Sequence, residues 1–295
     1  MWPAAVTDLL ARCTFDPPGS PVNCAVSGGT DSTALVALAC AAGLRVTAIH
    51  VDHGLRPGSA AEADVVRTTA DQLGASFRGE RVVLEPGANL EARARNARYA
   101  VLPVDVLTGH TADDQAETVL INLLRGAAAS GLAAMRPSRQ HPLLSLRRSD
   151  TVAVCAALGL TVVHDESNTD GRFLRNRVRH ELLPLMSDLA RRDPVPLLVR
   201  QADLMRDDAD LLDSLAAAFD PTDARALAAA PAAMARRAVR RWLTAEHPPD
   251  LATVDRVLAV ARGEAGGCDV GGGRRVERSR QRLRLVGPTT EPSIR

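Results

Sequence analysis

Two short stretches concentrate the residues able to do chemistry. The first is Ser27-Gly28-Gly29-Thr30-Asp31-Ser32, a pair of glycines set among hydroxyls and one carboxylate. Glycine takes backbone angles closed to other residues, so such a turn stays tight and its amides converge on an anion. A helix starting near Asp31 aims the positive end of its dipole at the same point. Asp31 would then stand where phosphate oxygens gather. A carboxylate makes sense there together with Mg2+, an ion usually held by one or two carboxylates plus substrate phosphates. The second stretch runs from Gly109 to Thr118, where His110, Asp113, Asp114 and Glu117 crowd one helix start. Capping explains one or two of these acids. It leaves His110 unexplained, and also Glu117, one turn on and stacked over Asp113 and Asp114. The spacing matches no zinc pattern.

The elements that must position these groups follow from the apolar pattern. Pro21 to Val26 reads as a buried strand feeding the glycine turn, and an alanine- and leucine-rich helix runs from there to Gly43. Leu44 to Val51 is the next strand, so the pair is parallel, and the segment from His50 to Arg56 lies at the carboxyl edge where open α/β sheets bind ligands. A helix over Ala60 to Leu73 precedes a strand, Phe77 to Leu84, whose Arg-Gly-Glu-Arg interior predicts a sheet edge. Asn89 can cap a helix carrying Glu91, Arg93, Arg95, Arg98 and Tyr99; by residue type alone a solvated face is favoured over an anion-binding one. Val104 to Thr108 leads as a strand into the acidic stretch, and a helix over Ser149 to Leu158 and a strand over Leu160 to Val163 follow. The expected fold class is α/β, a Rossmann-like parallel sheet flanked by helices.

Beyond Pro184, Pro194 and Pro196 the composition shifts to alanine, arginine and aspartate with helical periodicity. This predicts a catalytic domain over 1–188 and a second, mostly α-helical C-terminal domain over 189–295. Its helices are expected at Val195 to Phe219, Asp223 to Ala229, Ala232 to Ala245 and Leu251 to Arg262, with a small hairpin from Cys268 to Val286. Arg236, Arg237, Arg240 and Arg241 form a basic stripe around Trp242, which by residue type alone is a solvated face.

At 295 residues with 46% hydrophobic content, the chain suits two domains. It contains no lysine, which excludes a Walker loop with its Gly-Lys-Ser/Thr ending. The net charge of +1 identifies no partner, but arginine keeps its charge and presents a planar fork to phosphates. Cys13, Cys24, Cys40, Cys155 and Cys268 are scattered and form no CxxC pair, which predicts a reducing cytoplasm and argues against disulfides, zinc or an iron–sulfur site. No signal peptide or membrane span is visible, so no membrane is expected.

Ser27 to Ser32 resembles the SGGxDS loop of the PP-loop ATP pyrophosphatases, which cleave ATP between its α and β phosphates. Gly109 to Thr118, continued by Arg125-Gly126 and by Gly131 to Met135, closely resembles the corresponding segment of the tRNA(Ile)-lysidine synthetase family. Phe173 to His180 is similar to that family's RNRIRH segment, and His50 to Arg56 and Glu91 to Tyr99 to segments beside its ATP and active sites. The likeness is strong over most of residues 20–186 and weak beyond, in the manner of short family members with one helical domain.

This resemblance implies a ligase that adenylates the wobble cytidine of tRNA(Ile) with a CAU anticodon and joins it to free L-lysine, using ATP and Mg2+. ATP would be held by Ser27, Gly28, Gly29, Thr30, Asp31, Ser32, Val51 and His53, and Mg2+ by Asp31. Cytidine and lysine would meet His110, Asp113, Asp114, Glu117, Arg95 and Arg175. The catalytic residues it implies are Asp31, His110, Asp114, Glu117 and Arg177. Arg175, Arg177 and Arg179 cannot share one helix face, and the resemblance selects the first two. The resemblance also adds contact with tRNA phosphates as the other reading of the stripe formed by Arg236, Arg237, Arg240 and Arg241. A homodimer is left open. Two departures stand out: His141 replaces the arginine of the family's Arg-Pro-Leu-Leu, and the interval from Tyr99 to Val104 is short, either a trimmed crossover or missing residues. The rivals are a tRNA thiolase, which usually carries sulfur on paired cysteines, a small-molecule amide ligase, and a nucleotide sensor without chemistry.

Overall fold

The computed structural model describes residues 2–52, 54, 59–82, 93, 97–98, 100–163, 170–245 and 248–287. His53 and Arg95 lie outside the described residues, as do Asn89, Glu91 and Tyr99. Two compact units divide between Asp203 and Leu204.

In the first unit, α1 (Ala4–Leu10) precedes β1 (Pro21–Ala25), α2 (Thr30–Ala41), β2 (Arg45–Asp52), α3 (Ser59–Leu73) and β3 (Ser76–Arg81). The strands are parallel in the order β1-β2-β3, with Pro21 opposite Arg45 and Thr47 opposite Ser76. Parallel neighbours need a crossover, and α2 and α3 supply it. Val22, Cys24 and Val26 alternate into the core, where Leu35 and Leu38 of α2, Val46, Leu143, Leu146 and Val154 meet them. Thr33 to Ala39 are all buried, which is why α2 is apolar on every side. β3 ends the three-stranded sheet, and four of its six residues are exposed, as its charged interior predicted for an edge.

Two expected strands are much reduced. Of Val104 to Thr108 only Leu107 pairs, donating its N–H to Asn23 (2.8 Å) and accepting from Ala25 (2.9 Å) on the free side of β1. Pro103 closes a turn with the Val106 N–H just before it, so the extended run has no room to lengthen. Residues 160–163 form no strand; Val163 instead donates its N–H to the Gly28 carbonyl (2.9 Å) and covers the glycine turn.

Then come α4 (Ala112–Leu124), α5 (Ala129–Leu132), α6 (Arg148–Ala157) and α7 (Leu174–Arg177), a wide helical turn over Val178–Leu182, α8 (Leu183–Ala190) and α9 (Val195–Ala216). Gln115 fixes the α5 side of the fold by exchanging hydrogen bonds with the Met135 main chain, both 2.9 Å.

The second unit contains the part of α9 from Leu204 on, α10 (Ala224–Ala229), α11 (Ala232–Leu243) and α12 (Leu251–Arg262), then β4 (Gly267–Gly271), β5 (Arg274–Ser279) and β6 (Arg282–Val286). Asp223 and Asp250 cap α10 and α12, accepting two first-turn N–H groups and one respectively, and Gly263 in the left-handed region ends α12. The expected hairpin is a three-stranded antiparallel sheet, and Val276 and Leu283 from it join Leu227, Val239, Leu243 and Val257 in the core.

One glycine ties the two chemical stretches together. A Cβ on Gly109 would stand 2.6 Å from the Asp31 carbonyl oxygen and 3.0 Å from the Ser32 nitrogen, so only glycine lets this segment pass against the first turn of α2. Gly109→Ala is expected to cost about 1–3 kcal/mol by overpacking against unyielding backbone. Chemical denaturation of the variant checks this, and an unchanged midpoint would mean the two segments separate freely.

Candidate active site

The glycine turn offers donors aimed outward. The first-turn N–H groups of Thr30, Asp31 and Ser32 have no acceptor among the described residues, as the start of an uncapped helix leaves them. Gly28 is left-handed (φ +84°), and a Cβ there would meet Val163 at 2.7 Å, so both angle and space demand glycine. Gly29 differs: its φ is −70°, and a Cβ would meet nothing nearer than the Ser27 hydroxyl at 3.5 Å, leaving open space beside the free amides. Ser32 donates to the Gly29 carbonyl (2.9 Å), and the Ser27 and Ser32 hydroxyls lie 3.2 Å apart, which holds the turn in shape. Such a cradle binds phosphate by geometry and dipole together.

Asp31 opens toward the acidic helix end through a single side chain. Arg148, at the start of α6, reaches Asp31 (3.3 Å), Asp114 (3.1 Å) and Glu117 (3.3 Å) at once. Thr151, one turn further along α6, donates its hydroxyl to the other oxygen of Asp31. Burial, aided by the Asp114 charge, raises the Asp31 pKa, and the Thr151 and Arg148 contacts only partly offset it. Burial works against the charged Arg148 too, but Asp114, Glu117 and Asp31 together raise its pKa.

Each acid of α4 has a distinct set of partners. Asp114 accepts the Thr111 N–H (2.9 Å) and hydroxyl (3.0 Å) on Oδ2, completing a helix cap, and turns Oδ1 to Arg148. Glu117 is fully buried and is gripped by Arg179 at 2.6 Å and 3.0 Å. Asp113 is a staple: Arg147 binds it bidentately (3.0 and 3.1 Å) and the Arg148 N–H adds a third bond (2.8 Å). Burial pushes its pKa up, yet these donors outweigh that and lower it. Arg147 also pairs with Asp193.

The segment over Leu174 to Leu182 is helical, and that decides which arginines face the acids. Residues four apart share a face, so Arg179 lies with Arg175, whose guanidinium stands 3.9 Å from Glu117 and 4.0 Å from Asp114. Arg175 also donates to the Thr118 hydroxyl (3.2 Å). Arg177 points to the other side and pairs with Glu181 at 3.0 Å, both exposed. The structure therefore brings Asp31, Asp113, Asp114, Glu117 and Arg175 together, and places Arg177 outside the cluster. Val51 sits at the carboxyl end of β2, packed against Ile49, Leu102 and Val106. Arg147, Arg148, Thr151 and Arg179 were not anticipated. For Arg179 the i, i+4 spacing from Arg175 was the available signal; for Arg148 no local pattern points across the fold.

His110 and His141 share one hydroxyl. Thr108 Oγ1 lies 2.8 Å from Nδ1 of each ring and 3.1 Å from the Gln140 carbonyl. A hydroxyl has one proton, and a carbonyl can only accept, so all three contacts are satisfied when Thr108 donates to Gln140 and both rings donate through Nδ1. That leaves Nε2 of each ring as the basic nitrogen. Burial lowers the His141 pKa from the ordinary 6.5, with a smaller opposing effect from the Gln140 main chain.

Residues 6–186 match the family described as the PP-loop domain, and residues 223–284 match the TilS substrate binding domain. A U34-tRNA thiolase from Methanococcus maripaludis shares the fold, with a TM-score of 0.55 and 16% identity over 68% of this chain and 78% of that one. The protein is thus a PP-loop protein with a substrate-binding module. Among curated proteins, the tRNA(Ile)-lysidine synthases of Nocardia farcinica, Mycobacterium tuberculosis and Thermobifida fusca are 45%, 43% and 40% identical to it. The matches cover 89%, 82% and 93% of this chain and 90%, 82% and 94% of those proteins. The chain belongs to the tRNA(Ile)-lysidine synthase family.

Two consequences are measurable. Arg179→Ala leaves buried Glu117 with Arg148 as its near partner and should cost on the order of 3 kcal/mol, the lower end for a broken buried pair, whereas Arg177→Ala should leave the denaturation midpoint unchanged. Because the fold favours the neutral His141 ring, the unfolded chain takes up the proton first as pH falls below 6.5, and stability is lost on acidification through that window. His141→Asn should flatten the acid-side fall of the melting temperature relative to wild type.

Proposed function

We propose that this chain is an ATP-dependent ligase that modifies the wobble cytidine of a CAU-anticodon tRNA(Ile) with lysine. The observation that carries the reading is the Arg148 bridge, which sets the carboxylate of the phosphate loop and the acids of α4 around one guanidinium. This supports a reading in which the activating site and the amine-receiving site are neighbours.

In the first step the ring carbonyl oxygen of cytidine attacks the α phosphorus of ATP and pyrophosphate leaves. The free amides of Thr30, Asp31 and Ser32 and the hydroxyls of Ser27 and Ser32 would bind the phosphates there. The donor set at Asp31, one carboxylate facing a phosphate cradle, fits a hard ion completed by phosphate and water. A magnesium ion held there would offset the charge of the departing pyrophosphate. In the second step the ε-amine of lysine attacks the ring carbon and AMP leaves with the former carbonyl oxygen. Lysine arrives as an ammonium and must lose a proton first. Oδ1 of Asp114 and the Glu117 carboxylate are suited to bind that cation, and Nε2 of His110 or His141 is suited to take a proton.

The cysteines speak against sulfur transfer. All five are free thiols, and burial pushes Cys155 and Cys40 up to about 11, away from the reactive thiolate. No group of three metal-ligating side chains occurs among the described residues. No helix among them is long and apolar enough to cross a membrane.

The expected result is pyrophosphate released from ATP that requires the CAU tRNA and AMP released only when lysine is present as well; ADP as product would overturn the reading. Asp114→Asn and Glu117→Gln, assayed separately, should each raise the lysine KM while leaving pyrophosphate release from ATP and tRNA in the absence of lysine measurable.

A further inference from the structure

The second unit has two tight turns of the same geometry and opposite composition. The β4–β5 turn uses Gly272 and Gly273, with φ of +61° and +69°. The β5–β6 turn uses Arg280 and Gln281, with φ of +47° and +65°, between the paired residues Ser279 and Arg282. Two-residue hairpins of this kind demand left-handed backbone at both positions and strongly favour asparagine and glycine. Two long side chains at those positions are strained, and strain retained at an exposed site is a pointer to function.

The side chains divide the work. Gln281 accepts from Arg278 (2.6 Å) and its carbonyl takes the Ala224 N–H (3.0 Å), which docks the turn against the start of α10. Arg280 is exposed and has no partner among the described residues. Arg225, directly after Ala224, is also exposed and without a side-chain partner, and Arg284 follows on β6 in the same condition. The α11 stripe is mostly committed, because Arg236 pairs with Asp255, Arg237 with Asp213, and Arg241 reaches the Ala216 carbonyl, which leaves Arg240 alone of the four exposed and without a side-chain partner among the described residues.

We propose that the Arg280–Gln281 turn, flanked by Arg225 and Arg284, is where the substrate-binding module meets the phosphate backbone of tRNA. The proposal rests on the tRNA reading above and narrows it to one tip. Charge free of internal carboxylates is available to an RNA phosphate at no cost in broken ion pairs, and arginine offers it a forked donor.

The test replaces the tip with an unstrained turn, Arg280→Asn with Gln281→Gly, in the full chain, and measures melting temperature and binding of CAU-anticodon tRNA. The expected result is opposite movement: melting temperature up, tRNA affinity down about three- to tenfold, and the slope of log affinity against log salt shallower by roughly one. A structural role alone predicts loss of both. Arg280→Lys should keep most of the affinity, and Arg225→Ala should lose it in the same direction. Unchanged affinity in the double variant overturns the tip while leaving the tRNA reading intact, and a melting temperature that does not rise overturns the strain argument and the proposal. Failure of the wild-type chain to bind the tRNA overturns both readings.

Discussion

A guanidinium shared by three carboxylates holds the catalytic half of this molecule together. Asp31, Asp114 and Glu117 come from two helices far apart in sequence, and two of them are more than nine-tenths buried. Buried carboxylates stay ionised only when paired and hydrogen-bonded, so Arg148 lets the site exist as a set of charges at all. Arg147, Arg175 and Arg179 extend the pairing, each facing an acid of α4. The same pairing constrains binding. A cation that enters must compete with a resident guanidinium, so its gain is the difference between two favourable interactions and its affinity is modest and selective.

The charged cluster is assembled by backbone contacts that leave no freedom. Gly109 lies against the Asp31 carbonyl and Gly28 against Val163, so the segment before α4 and the segment after α6 both press on the phosphate turn. Thr108 then clamps His110 and His141 from the same side. Movement of the turn would be transmitted to both, because close-packed backbone shifts as a unit rather than deforming.

The parallel sheet, its charged edge and the long helices were legible, since alternation and helical period survive into the folded state. The strands at 104–108 and 160–163 were not, because their fates depended on Pro103 and on the Gly28 carbonyl, neither of which alters the apolar pattern. The phosphate loop and acidic helix end were legible as residue types at a fixed spacing. Their partners were not: Arg148 touches them across more than thirty positions, and sequence distance carries no charge information. Arg179 lies between these cases, since helical spacing puts it on the face of Arg175, whereas the resemblance selected Arg177, which turns to Glu181. Asp114 proved to be both cap and site residue, one oxygen for each task, an economy that counting acids could not reveal.

The second unit shows why arginine content is a poor guide to where anions bind. With 36 basic side chains against 35 acidic ones, nearly every arginine has a carboxylate available somewhere. A stripe on a helix looks basic in sequence, yet α11 spends Arg236 and Arg237 on neighbouring aspartates. An arginine committed in that way must give up one partner to gain another, and the exchange is close to neutral in water. Arginines kept without a partner have no such trade to make. In a near-neutral chain, the field that an incoming polyanion feels is set by those few residues and by the backbone that holds them out.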